Sequence, residues 1–298
     1  MISILSFLLA GFNLISCSSG DDAVNTEGPS TSGTIPENTD SGKNNNSQPD
    51  NITSGNNGTD SSTWDLVFED NFDSTDSIPN PKYWRLAKRG DDTWNRYLSE
   101  SYGQAYQKNG YLYLFGMLVG GEYKTGAIET LNNFSFTYGQ VKCRARFLRS
   151  PQGNHTGIWM MPEPPAQQWP KSGEIDIMEH LDDQSQVFET VHYYNDNIGE
   201  NASSHGTSSI DNEDFNVYGI IWNQDSIKFT VNGEVAFTYT NDNPDSEDFS
   251  YQYPFTKPFY LILSQSLGGK GTWEGVINDS ELPAIFQIDW IKVWQKAE

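Results

Sequence analysis

From Trp64 onward the chain is written in short stretches of alternating apolar and polar side chains, and no long stretch carries an apolar repeat of 3.6 residues. Tyr111–Phe115, Gln140–Arg146, Val217–Trp222, Ile227–Val231 and Phe259–Leu263 are examples, separated by Gly, Asn, Asp and Pro. Runs of this length and composition are strands. Val231-Asn-Gly-Glu234 holds an Asn-Gly pair, the strongest short-range signal for a tight hairpin, and joins Ile227–Val231 to Val235–Tyr239. Many short strands without helices predict an antiparallel sandwich. Residues 64–298 suffice for one large β domain rather than two small ones.

One strand is unusual. Glu174-Ile-Asp-Ile-Met-Glu179 places three acids among large apolar side chains. Side chains alternate between faces along a strand, so Glu174 and Asp176 share one face and Ile175 and Ile177 the other. Strict alternation would then send Glu179 into the core, where an unpaired carboxylate is costly. A β-bulge at Ile177 or Met178 returns Glu179 to the face of Glu174. Three carboxyls so close cannot all ionise freely, and at least one must hold its proton more tightly than usual. A protonated carboxyl is a general acid, and an ionised neighbour is a nucleophile or base, which is the pair that glycoside hydrolysis uses. A structural acid cluster or a cation site is the simpler alternative. The aromatic flanks weigh against it: Trp159 and Trp169 precede the acids, and His192, Tyr193 and Tyr194 follow. Sugars stack their apolar faces on such rings and hydrogen-bond through their hydroxyls.

The acidic hexapeptide resembles the active-site strand of glycoside hydrolase family 16 in its bulged form. Phe134-Ser-Phe-Thr-Tyr-Gly139, Gly157-Ile-Trp-Met-Met-Pro162 and Asp289-Trp-Ile-Lys-Val-Trp294 are collinear with that family, and the resemblance covers about residues 64–298. It implies an all-β, concanavalin A-like jelly-roll sandwich with a substrate cleft across its concave face. It also implies an endo-acting retaining β-glycosidase with Glu174 as nucleophile, Asp176 assisting it and Glu179 as acid/base. Catalysis of that kind needs no cofactor. Family members often hold a structural calcium far from the cleft; Glu69, the Gly110 backbone and Asp289 match those positions in outline, and hard cations want such oxygen ligands.

Around the acids, Trp159 is either a core residue or the lining of the subsite beside the scissile bond. Trp169 lies in the Pro162–Pro170 loop, which suits a cleft platform, and His192 lies on the following strand within reach of Asp176 or Glu179. Trp94 and Arg96 sit in a polar, aromatic loop where the family's glucanases carry Asn-Glu and this chain carries Asn95-Arg96. Arg96 is either a surface salt-bridge residue or a ligand for a sugar hydroxyl or N-acetyl group. Gln265 and Trp273 fall, by analogy, in a Gly-rich loop at the cleft edge. The missing Asn-Glu pair and the Glu179-His180-Leu181 continuation look more like the family's endo-β-galactosidases, which cut poly-lactosamine of mucin O-glycans and keratan, than its β-1,3- or β-1,3-1,4-glucanases. A surface protein that captures glycans without cutting them is the reading from another class.

The net charge of −22 argues against nucleic acid as a partner and disfavours heavily sulfated glycans. Residues 2–16 are mostly apolar and are placed like a signal peptide. They lead into Leu14-Ile-Ser-Cys17, which resembles the lipobox of bacterial lipoproteins, and Ser18-Ser-Gly-Asp-Asp22 resembles their outer-surface export signal. The expectation is a leader over 1–17, lipidation at Cys17, a flexible tether over 18–63 and a monomeric domain held at the outer membrane by its lipid alone. The only other cysteine, Cys143, alternates with Val141 and Ala145 and reads as a small core residue.

Overall fold

The computed structural model describes residues 63–164, 169–195, 199–242 and 252–297. The leader, Cys17 and all but the last residue of the tether lie outside the described residues. Two antiparallel sheets face each other, and the alternation of the sequence is what supplies each with an apolar inner side. The first sheet contains β1 (Trp64–Asp70), β3 (Ala105–Lys108), β4 (Tyr111–Val119), β5 (Glu122–Thr125), β8 (Gly139–Arg149), β13 (Asn216–Trp222), β14 (Ser226–Val231), β15 (Glu234–Thr240) and β17 (Ala284–Lys296). The second contains β2 (Arg85–Leu86), β6 (Ala127–Glu129), β7 (Ser135–Phe136), β9 (Asn154–Pro162), β10 (Glu174–Leu181), β11 (Gln186–Asn195), β12 (Glu200–Ser209) and β16 (Phe259–Leu267). Its order is β12-β11-β10-β9-β16-β6-β2, so the acidic strand β10 runs near the middle, between β9 and β11. This is the antiparallel sandwich that the strand pattern predicts, in the jelly-roll form that the family resemblance implies.

The core between the sheets is aromatic. Trp84, Trp222, Tyr218, Phe229, Phe255, Phe259 and Phe286 are fully buried there. Burying one such side chain stabilises the fold by about 1.5–3 kcal/mol, which suits a chain rich in Phe, Tyr and Trp. Cys143 is fully buried beside Val141 and Ala145. The Asn232-Gly233 hairpin forms between β14 and β15, with both residues at positive φ (53° and 90°).

The predicted bulge is present in β10. Against β9 the pairs run Asp176↔Trp159 and then Met178↔Ile158; against β11 they run Asp176↔Thr190 and then Glu179↔Phe188. One residue too many on β10 turns both Ile177 and Met178 inward, where each joins the main core. An uninterrupted strand would instead have left Met178 on the open face. Met178→Ala is therefore expected to cost about 2–5 kcal/mol in urea unfolding. A loss below about 1 kcal/mol would place Met178 on the solvent side and contradict this register.

Candidate active site

The open face of the second sheet is the floor of a cleft of about 600 Å³. β10 contributes Glu174, Asp176 and Glu179, β9 contributes His155, Gly157, Trp159 and Met161, and β16 contributes Tyr260, Ile262 and Ser264. Gly157 pairs across the sheet with Glu179 on one side and Ser264 on the other. A Cβ there would meet the Trp159 ring and Ser264 Oγ at 3.1 Å, so glycine keeps the floor open beside the acid. Trp159 is both packed and part of the cleft lining. Its ring packs with Tyr260 and Ile262 and stands edge-on to Trp94 at 4.8 Å, its Nε1 donates to Ser264 Oγ at 3.0 Å, and it lines the cleft. Trp169 and Trp273 stand half exposed on the walls.

Each acid has a different environment. Trp169 Nε1 donates to Glu174 Oε2 at 2.6 Å. Burial nevertheless outweighs that bond, and with the Glu179 charge it pushes the Glu174 carboxyl up to about 7. Asp176 is 3% exposed, and burial first, then the charges of Glu174 and Glu179, raise it well above the usual range. Asp176 therefore keeps its proton longest and donates it in a hydrogen bond to Glu174. At Glu179 burial also raises the carboxyl, but His155 first, then Thr190 and His192, more than offset it and leave it lowered. His155 Nε2 lies 3.2 Å from Glu179 Oε1, and Thr190 Oγ1 donates to Oε2 at 3.0 Å.

His192 pairs with Glu174 across β11, and its Nε2 is 3.4 Å from Asp176 Oδ2 and 4.0 Å from Glu174 Oε1. Of the two partners expected for His192, Asp176 is the nearer, at ion-pair distance and without a hydrogen bond at Oδ2, while the charge coupling of His192 is to Glu179. Burial holds the His192 imidazole below its ordinary value. Glu179 is served by His155, which sequence reasoning missed; nothing in Asn154-His155-Thr156 marks it until the pairing of β9 with β10 is known. Thr190 and Glu274 escaped for the same reason. His180 faces the core instead, stacked on Phe147 at 3.8 Å, and burial lowers it to about 4.

Two sequence-level expectations are corrected by geometry. Gln265 is on strand β16, not in the cleft-edge loop, and its side chain points between the sheets. Its amide is held by Asn154, the carbonyls of His155 and Ser266, and Thr156 Oγ1, which donates to Oε1 at 3.1 Å. Arg96 does not line the cleft; its Nη2 donates to the carbonyl of Gly268, and Gly269 packs against the guanidinium. It ties the Trp94 loop to the loop bearing Trp273. At the positions read for calcium, Glu69 Oε1 lies 3.4 Å from Lys292 Nζ, and Asp289 is bonded to Arg144. Cations of the protein's own thus meet both carboxylates. Among the described residues, Glu174, Asp176 and His192 form the set whose single ligand atoms all lie within 4.8 Å of one another, as a metal ion would require.

The profile of the Glycosyl hydrolases family 16 matches residues 95–292, which include Glu174, Asp176 and Glu179 and all the strands that carry the cleft floor. The chain belongs to that family. A keratan-sulfate endo-1,4-beta-galactosidase of Sphingobacterium multivorum is 35% identical over 245 residues, covering 79% of this chain and 56% of that protein. The chain thus spans little more than half the length of that relative. A beta-glucanase of Rhodothermus marinus is 30% identical over 251 residues, covering 79% of this chain and 86% of the glucanase. A solved structure, from work on endo-acting O-glycanases that prominent members of the human gut microbiota express to initiate mucin breakdown, superposes with a TM-score of 0.70 at 30% identity. It covers 77% of this chain and 98% of its own. The domain is a glycosidase of this family, and the family's chemistry calls for no cofactor.

Arg96→Met should leave the Gly268 carbonyl without its donor and cost about 1–3 kcal/mol. The same variant should speed proteolytic nicking of the 268–275 loop; unchanged nicking would show that Arg96 does not restrain that loop.

Proposed function

We propose that the enzyme is an endo-acting retaining β-glycosidase with Glu174 as nucleophile and Glu179 as acid/base. The observation that carries this reading is the convergence of Glu174, Asp176 and Glu179 on one face of a cleft walled by four tryptophans. A glycan strand lies across β9–β11, with sugar faces against Trp159 and Trp169. One Glu174 oxygen attacks the anomeric carbon while Glu179 delivers a proton to the departing glycosidic oxygen. The C–O bond of the linkage breaks, a glycosyl ester forms on Glu174, and the shortened chain leaves as an alcohol. Water then attacks the same carbon, Glu179 takes its proton, and the ester opens to the free sugar.

The resting charge distribution supports this with one rearrangement. Asp176 retains a proton and donates to Glu174, which favours the ionised nucleophile. Burial opposes that ionisation until near pH 7, while His155 favours the ionised form of Glu179. Glycosylation requires the reverse arrangement, Glu174 ionised and Glu179 protonated. The two arrangements differ by the position of one proton and not by total charge, so the cluster titrates as a unit. A sugar that displaces water from Glu179 favours its neutral form.

As substrate, β-linked galactose-containing chains of the mucin O-glycan and poly-lactosamine type fit best. The 35% identical galactosidase and the O-glycanase structure support this reading. Asp92, Glu174, Asp176, Glu179 and Glu274 all line the cleft, which makes it a poor host for sulfate at its centre. Unsulfated stretches are therefore the expected point of cutting. The second reading is an endo-β-1,3- or β-1,3-1,4-glucanase, favoured by the identity to the glucanase of Rhodothermus marinus.

A digest of mucin O-glycans, keratan, laminarin and mixed-linkage β-glucan, with products sized by mass spectrometry, separates these readings. Galactose-ended oligosaccharides are expected; glucose oligomers would support the second reading, and no product from any of them would leave glycan capture without cleavage. Glu174→Gln should lower kcat by about 10³-fold or more with little change in the melting temperature. A variant that turns over at the native rate would remove Glu174 from the nucleophile role. Trp169→Phe should weaken the ionised form of Glu174. Because the nucleophile must be ionised, the acid limb of kcat/KM should then move to higher pH by about half a unit or more.

A further inference from the structure

The acid/base has a second carboxylate behind it. His155 lies between Glu179 and Glu274: Nε2 is 3.2 Å from Glu179 Oε1, and Nδ1 is 3.8 Å from Glu274 Oε1 and 3.2 Å from Ser266 Oγ. Glu274 is only 7% exposed, and its Oε2 is buried without a hydrogen-bond partner. Such a carboxylate is costly unless a positive charge stands beside it. The ion-pair partner the structure gives it is His155. The imidazole thus stands between two carboxylates, with one facing each ring nitrogen.

Resting on the catalytic reading above, we propose that Glu274 acts through His155 as a positioning and charge-setting residue for Glu179, retaining on the His155–Glu179 pair the proton that the leaving oxygen receives. Glu274 touches neither the nucleophile nor the reacting carbon in this account. It fixes the imidazole from behind, and the same loop presents Trp273, whose ring lies 5.3 Å from that of His155. The other charges facing the pair are also placed. Glu174 and Asp176 lie along β10, His192 acts on Glu179 from β11, and Asp182 accepts a hydrogen bond from the Gly153 N–H two residues before His155. His180 lies behind the sheet and is neutral near pH 7. None of these occupies the Nδ1 side of the ring, where Glu274 and Ser266 sit.

The sign follows from proton counting. The form active in glycosylation carries one proton on the His155–Glu179 pair, and the alkaline limb of kcat/KM marks its loss. A neighbouring negative charge stabilises that proton. Removing the charge lets it leave at lower pH. Glu274→Gln keeps shape and removes charge, so the alkaline limb should move down by about half a pH unit or more. Glu274→Asp keeps the charge and should leave the limb near its native position. In a His155→Gln background, Glu274→Gln should move the limb little further, since the carboxylate acts through the ring.

One readout does not depend on catalysis. The chain has four histidines, so the His155 ring can be assigned by NMR and titrated in the free protein. Its midpoint should fall by about half a unit or more in Glu274→Gln and stay near native in Glu274→Asp. An unmoved His155 midpoint overturns the inference whatever the enzyme cuts. A loss of kcat/KM equal at every pH also overturns it, as does the same limb shift with and without His155. A shifted midpoint in a protein without glycosidase activity would uphold the His155–Glu274 coupling and overturn the catalytic reading alone.

Discussion

Between Asp176 and Glu179, strand β10 carries one residue more than the strands on either side of it, and the cleft follows from that difference. The extra residue lets Ile177 and Met178 both enter the core while Glu174, Asp176 and Glu179 stay on one face. Apolar burial holds the bulge closed. Opening it would expose two large side chains, and slipping the register by one would bury Glu179. The position of the bulge in the middle of the sheet matters equally. β9 and β11 hydrogen-bond to β10 on both sides, so the histidines that reach the acids come from neighbouring strands at fixed register.

Those histidines divide the acids electrostatically. On the β11 side, His192 sits over Asp176 and Glu174, and burial holds its imidazole below the ordinary value. On the β9 side, His155 faces Glu179 with Glu274 behind it, and this side favours charge. The two ends of one short strand thus hold protons differently although the residue type is the same. Asp176 joins them: it is the most buried of the three and the last to ionise.

The sandwich, the Asn232-Gly233 hairpin, the bulge and the identity of the three acids were legible in the sequence because each rests on local chemistry: alternation, a turn pair with positive φ, and the cost of a buried carboxylate. The aromatic walls were legible in part, since an indole in a proline-rich loop has few places to hide. What escaped depended on which strands become neighbours. His155 is one strand away from the acid it serves, and Gln265 faces inward only because of its parity on β16. Arg96 was open between a salt bridge and a sugar ligand, and it does neither. Its partner is a backbone carbonyl 172 positions along the chain, a contact that no local pattern announces.

The central claim is that two carboxyls on this bulged strand act on opposite sides of a glycosyl ester. Stereochemistry reports on it directly. Proton NMR of the digest in its first minutes, before mutarotation, shows the anomeric configuration of the newly formed reducing end. Two displacements at one carbon, the first by Glu174 and the second by water, leave a β product from a β linkage, and this account predicts that β signal first, with α growing in later. An α product appearing first would mean a single displacement by water, and would contradict the assignment of Glu174 as nucleophile.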